Sequence, residues 1–239
     1  MLISRFLQLL FISFSILSVF STQASVVINN TRVVYLDNSK EVSVKLNNNG
    51  NKPVLVQSWI DSGDPDQNPS TIQVPFILTP PINRIDSKQG QTLRIFYTGE
   101  ELSTTEESIF WLNVLEIPAK NSDLKDKNTL QLAFRTRLKL FFRPSDLQGD
   151  ANDAGKNLVW DVIGSGLKAT NPTPYHVSLT RVSIEINDKS YDSEAVMVYP
   201  NKSQIFNFSD LPAIPSGSKI IINYLDDYGA TKSFESITQ

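Results

Sequence analysis

Apolar and polar residues alternate with a period of two through most of this chain. Residues 26–35 (VVINNTRVVY), 41–47 (EVSVKLN), 53–60 (PVLVQSWI), 74–79 (VPFILT), 91–97 (QTLRIFY), 108–117 (SIFWLNVLEI) and 129–142 (TLQLAFRTRLKLFF) carry the pattern, rich in Val, Ile, Phe and Tyr. Successive side chains of an extended chain point to opposite sides, so this spacing predicts strands that bury one face. The intervening NNNGNKP, DSGDPDQNPS, PPINRIDSKQG and TGEELSTTEE are turn-forming in composition. Beyond residue 25 no apolar repeat of helical period reaches helix length.

About seven strands in roughly 120 residues is the count of an immunoglobulin-like sandwich. Pro144 ends the last of them, and 145–157 (SDLQGDANDAGKN) is polar and small, the composition of a linker. Shorter strand-like stretches follow at 158–163, 166–170, 175–186, 195–199, 204–208 and 219–225. The reading is all-β, with a first domain over 25–144 and a second over 158–239. One large β domain is the alternative, which the polar linker disfavours.

Residues 1–24 stand apart. One early cation, Arg5, precedes a Leu/Ile/Phe/Val-rich run to Phe20 and then Ser-Thr-Gln-Ala, the layout of a secretory signal cut near Ala24. The run is short for a bilayer span and polar residues interrupt it, and no later segment is apolar enough to insert. An exported chain without cysteine holds no disulfides, so packed cores must stabilise it. A net charge of −3 and a pI near 5.3 oppose nucleic-acid binding.

Catalytic chemistry finds little support. His176 is the only histidine, which excludes a multi-histidine metal site, and there is no thiolate ligand or nucleophile. Neither a G-x-S-x-G elbow nor a phosphate-binding glycine loop occurs. Asp and Glu are scattered through the loops without a pattern that selects a carboxylate pair.

The strand at 129–142 is the unusual one. Its even positions run Leu130, Leu132, Phe134, Thr136, Leu138, Leu140, Phe142, and its odd positions include Arg135, Arg137 and Lys139. At ~3.3 Å per residue it would extend about 45 Å, too long to be covered along its whole length by an ordinary sandwich. Part of it should protrude as an edge. Basic residues on such an edge either protect it from aggregation or serve a strand meant to pair with a partner. Periodicity alone leaves both open.

Six segments carry a resemblance. NNTRVVY (29–35), FILTPPINRI (76–85), SIFWLNVLEIP (108–118), RLKLFFRP (137–144), NPTPYHV (171–177) and YLDDYG (224–229) resemble, in order, the signature segments of the PapD-like periplasmic chaperones of the chaperone–usher pathway. The resemblance implies two immunoglobulin-like β-sandwich domains set in an L, a periplasmic location and no cofactor. It implies pilin subunits as partners, capped by a lent strand in donor-strand complementation, and delivery to an outer-membrane usher. Carried onto this sequence, Arg32 and Lys139 fall where the family holds a subunit's terminal carboxylate, and Leu130, Leu132 and Phe134 where it donates side chains. Glu107, Arg143 and Asp227 fall on its interdomain charge cluster, with adjacent Asp226 leaving the acidic partner open by one residue. The segment AKNSDLKDKNT between Pro118 and Leu130 resembles the short-loop branch, typical of thicker, rod-forming pili. Two features depart from the pattern. The disulfide that some members carry in the second domain is absent, and Phe134 stands where a smaller aliphatic is common. Self-association of the free protein is left open. A contrasting expectation is a secreted β adhesin or structural pilus component that binds through loops such as 61–70.

Overall fold

The computed structural model describes residues 25–119, 131–187, 189–194, 196–209, 211 and 213–238. The expected signal at 1–24, the short 119–130 loop beyond Ala119 and the donor position Leu130 lie outside the described residues.

Nine strands form the first sandwich. They are β1 (Val26–Ile28), β2 (Arg32–Leu36), β3 (Val42–Asn48), β4 (Val54–Asp61), β5 (Phe76–Thr79), β6 (Ile82–Ile85), β7 (Gly90–Tyr97), β8 (Ser108–Pro118) and β9 (Phe134–Arg143). One sheet runs β1-β3-β7-β5 and the other β2-β9-β8-β4-β6. The inward rows of both meet in one core, with Val44, Leu46, Leu93 and Ile95 facing Tyr35, Val56, Leu112 and Leu140. The stretch expected as one strand at 26–35 is two. The chain leaves the first sheet at Asn29 and joins the second at Arg32, so β1 pairs with β3 and β2 runs parallel to β9. β6 lies inside a segment whose Pro80, Pro81 and Asn83 signal turns, yet it pairs with β4 from Ile82 to Ile85.

The second sandwich contains β10 (Val159–Ile163), β11 (Gly166–Thr170), β12 (Val177–Ile186), β13 (Lys189–Ser193), β14 (Met197–Val198), β15 (Ser203–Asn207), β16 (Lys219–Leu225) and β17 (Thr231–Ile237). A three-stranded sheet, β10-β11-β15, packs Trp160, Leu167 and Phe206 against Val182, Ile184, Ile220 and Tyr224 of the β13-β12-β16-β17 sheet. The two cores share no residue, so the fold is two immunoglobulin-like sandwiches rather than one large β unit.

The polar stretch 145–157 is partly packed. Ala151–Asn157 forms a 3-10 helix whose Ala154 and Gly155 are buried. A methyl group on Gly155 would come within 2.7 Å of the Tyr224 ring, so only a residue without a side chain fits there. Small residues chosen for close approach look, in composition, the same as linker residues.

Candidate functional site

Strand β9 connects every feature of interest. Antiparallel β8 pairs with it from Phe134 to Phe142, whereas β2 pairs only from Lys139 to Arg143. Among the described residues, the edge from Phe134 to Leu138 therefore carries no strand. The apolar row divides at the same place. Leu138, Leu140 and Phe142 are buried, while Leu132 is 55 % and Phe134 49 % exposed. Regular strand begins only at Phe134, later than the alternation from 129 predicts, and 131–133 have no assigned structure.

The basic row is used group by group. Arg135 donates to the Pro65 carbonyl at 2.7 Å. Arg137 reaches Asp61 at 2.5 Å and lies over the Trp111 ring, 4.9 Å from its centroid. Asp61 also accepts from Asn113 (2.6 Å) and from the Gly63 backbone (2.7 Å). Burial alone would raise the pKa of Asp61, but these donors hold it below the usual carboxylate value. Sequence reasoning gave neither arginine a partner. The Asp-Ser-Gly turn at 61–63 was the available signal, but it does not say which strand Asp61 meets.

One pleat further, the parallel register sets Arg32 directly beside Lys139. Lys139 Nζ donates to Ser178 Oγ of β12 at 2.9 Å, and Arg32 donates to the Leu225 carbonyl at the end of β16 at 3.3 Å. Both cations thus reach across from the first sandwich to the second. Arg32 packs over Phe141 and keeps its buried Nε without a partner. Among the described residues no carboxylate lies within ion-pair distance of either. Burial, reinforced by the Arg32 charge, lowers the Lys139 pKa to about 8, and burial also lowers that of Arg32 against the pull of Asp227. Two adjacent, poorly hydrated cations with free donors can bind a carboxylate through charge-assisted hydrogen bonds.

Arg143, at the far end of β9, is fully engaged. Its Nε reaches Glu107 at 2.6 Å, and its two terminal nitrogens reach Asp227 at 2.7 and 2.8 Å in a bidentate fork. Burial opposes its charge, but the hydrogen bonds to Asp227 and the Glu107 carboxylate outweigh it and push its pKa above the ordinary value. Asp227, not Asp226, is the partner. Asp226 is occupied within its own turn, accepting from the backbone of Tyr228 and Ala230. Glu107 also accepts from the His176 backbone at 2.8 Å and sits 3.2 Å from its Nδ1, a contact that no sequence signal indicated. The Glu107 backbone donates to the Pro174 carbonyl at 2.9 Å, so this group ties the sandwiches together through both main chain and side chain.

Comparison with known proteins identifies the whole. Residues 25–148 match the pili and flagellar-assembly chaperone, PapD N-terminal domain, and 153–236 match the pili assembly chaperone PapD, C-terminal domain. The chain belongs to the PapD-like pilus chaperones. The probable fimbrial chaperone YadV of Escherichia coli K12 is 42 % identical over 216 residues, spanning 87 % of this chain and 88 % of that protein. Chaperone protein MrkB of Klebsiella pneumoniae is 40 % identical over 209 residues, with 86 % and 88 % covered. The YadV crystal structure superposes with a TM-score of 0.78 at 39 % identity over 90 % of this chain and all of that one. The SafB chaperone of Salmonella enterica, solved in complex with the SafA pilin, gives 0.75 at 28 % identity, with 91 % and 98 % covered. This protein is therefore a fimbrial chaperone of the chaperone–usher family, whose members are periplasmic and are chaperones rather than enzymes. The contrasting expectation of an adhesin binding through 61–70 does not hold for a chain of this family. No helix among the described residues is long and apolar enough to cross a membrane.

Proposed function

We propose that this chaperone captures pilin subunits by lending them β9 and delivers them to an outer-membrane usher. The observation that carries the proposal is the coincidence of an open β9 edge, with exposed Leu132 and Phe134, and an unneutralised cation pair five residues beyond Phe134, where Lys139 of β9 lies beside Arg32 of β2. A subunit strand would pair with the free edge from Phe134 to Leu138 while Leu132 and Phe134, preceded by Leu130, enter an apolar groove on the subunit. Its terminal carboxylate would be held by Arg32 and Lys139. Anchoring one chain end fixes the register, and register decides which side chains face the groove. The cluster of Glu107, Arg143 and Asp227 would hold the two domains, 25–144 and 158–239, at the angle that forms the cleft. Such buried charges contribute orientation more surely than stability. The signal is proposed to be cut near Ala24, releasing the mature chain to the periplasm. SafB, seen with its pilin, supports this reading as a relative.

Co-expression in the periplasm tests it. Lys139→Ala and Arg32→Ala should each leave the chaperone soluble yet reduce recovery of a co-expressed pilin that the wild type captures by more than about ten-fold, the loss of a charge-assisted contact. Subunit yields equal to wild type would remove the anchor from the account.

A further inference from the structure

The N-terminal end of the described chain meets a buried acid that the capture site does not use. Glu116 of β8 is 7 % exposed. Its Oε1 accepts from the Ser25 backbone nitrogen at 3.3 Å and from the Ser25 hydroxyl, and its Oε2 accepts from the Val26 nitrogen at 2.9 Å. Among the described residues it has no cation within ion-pair distance, so a carboxylate removed from water is met by neutral donors alone. A counter-charge would add to these three hydrogen bonds, because a buried carboxylate is best met by a group that is both hydrogen-bonded and cationic.

Ser25 itself is well seated. Its carbonyl accepts from the Asn49 nitrogen at 2.7 Å, and a methyl group on Gly50 would come within 2.6 Å of its Cβ. Glu116 lies opposite Phe134 in the β8–β9 register, and the same two residues line a small cleft with Val26, Ile28, Val114 and Thr136. Ser25 is thus packed within reach of the open edge.

We infer that cleavage between Ala24 and Ser25 supplies Glu116 with a cation. While that peptide bond is intact, the Ser25 nitrogen is a neutral amide with one hydrogen to give. Hydrolysis breaks the C–N bond, leaves water's oxygen on the Ala24 carboxylate, and gives Ser25 an amine that takes up a proton. The resulting ammonium sits against Glu116, and the neutral hydrogen bond becomes an ion pair. Removal of the signal thereby pins β1 between β3 and the end of β8, beside Phe134. The inference rests on the signal cut proposed above and not on strand donation.

Intact mass of the chaperone purified from periplasm gives the first reading, and a mature chain that does not begin at Ser25 overturns the inference. Unfolding equilibria of four chains then test the ion pair. These are the chain beginning at Ser25, the chain beginning at Gln23, and both again with Glu116→Gln. The extension at Gln23 should lower the folding constant about ten-fold with Glu116 present, the order of one charge-assisted hydrogen bond, and less than two-fold with Gln. An equal loss in both backgrounds overturns the ion pair while leaving the cleavage site standing. Direct titration of the Ser25 amine by NMR in the wild-type chain keeps the test decisive if Glu116→Gln fails to fold. A shift above the ordinary range supports the pair, and an ordinary value overturns it. Pilin recovery by the same chains reports separately on strand donation.

Discussion

Lys139 shows how much one side chain contributes. Its position in an apolar-basic alternation was visible in RLKLFFRP, and the resemblance to pilus chaperones supplied its pairing with Arg32. Neither reveals that Ser178, 39 positions away in the chain, accepts its hydrogen bond at 2.9 Å, because that contact depends on how the two sandwiches meet. The lowered pKa of about 8 has consequences of opposite sign for stability and capture. A lysine whose folded pKa lies below its unfolded value destabilises the fold while both states are charged. That penalty fades as pH rises from about 8 toward the unfolded value of ~10.4. Capture of a carboxylate needs the protonated amine, so it weakens over the same range. Raising the pH from 7 to 9 should lower affinity for a subunit's C-terminal peptide about ten-fold in calorimetry, and Lys139→Arg should flatten the profile. A flat wild-type profile would mean that Lys139 does not carry the contact.

At the scale of elements, periodicity separated the two faces of β9 well, and Leu138, Leu140 and Phe142 do enter the core. What alternation does not contain is where the neighbouring strand stops. β2 ends its pairing at Lys139, and that limit alone converts a covered strand into an open edge. The odd row also conceals Phe141, which lies among cations in sequence but packs its ring 5.5 Å from His176. β6 and the 3-10 helix at 151–157 were illegible for a related reason, since proline, glycine and asparagine serve close packing as readily as turns. Arg137 binds β9 to Asp61 at the end of β4, and Arg135 binds it to Pro65 in the loop that follows. Arg137→Met should leave Asp61, 1 % exposed, without its cation and lower stability by about 3 kcal/mol. Adding Asp61→Asn should restore at least half of that in urea titrations. Additive losses would show that the two residues act independently.

The whole molecule depends on what joins its halves. Two cores that share no residue need a defined angle between them if Arg32 and Lys139 are to face Ser178 and Leu225. Arg143 spans the two halves, reaching Glu107 in its own sandwich and Asp227 in the other. The resemblance named these three residues but left Asp226 and Asp227 interchangeable. The turn geometry that occupies Asp226 decides between them, and no single-sequence pattern encodes it. The two-domain plan was therefore legible in the alternation, and the cation pair and the charge cluster in the resemblance, whereas the division of 26–35 between two sheets and the contacts to His176, Ser178 and Leu225 were not. The central claim is that β9 is lent to a pilin, and a chain without cysteine allows a clean measurement. Phe134→Cys and, as a control on the outer face of β15, Ile205→Cys would each be co-expressed with a pilin bearing one cysteine in its groove. Strand donation should give a disulfide-linked chaperone–pilin product with Phe134→Cys and none with Ile205→Cys. A complex that still purifies with Phe134→Cys but forms no cross-link, or cross-links equally at both sites, would contradict it.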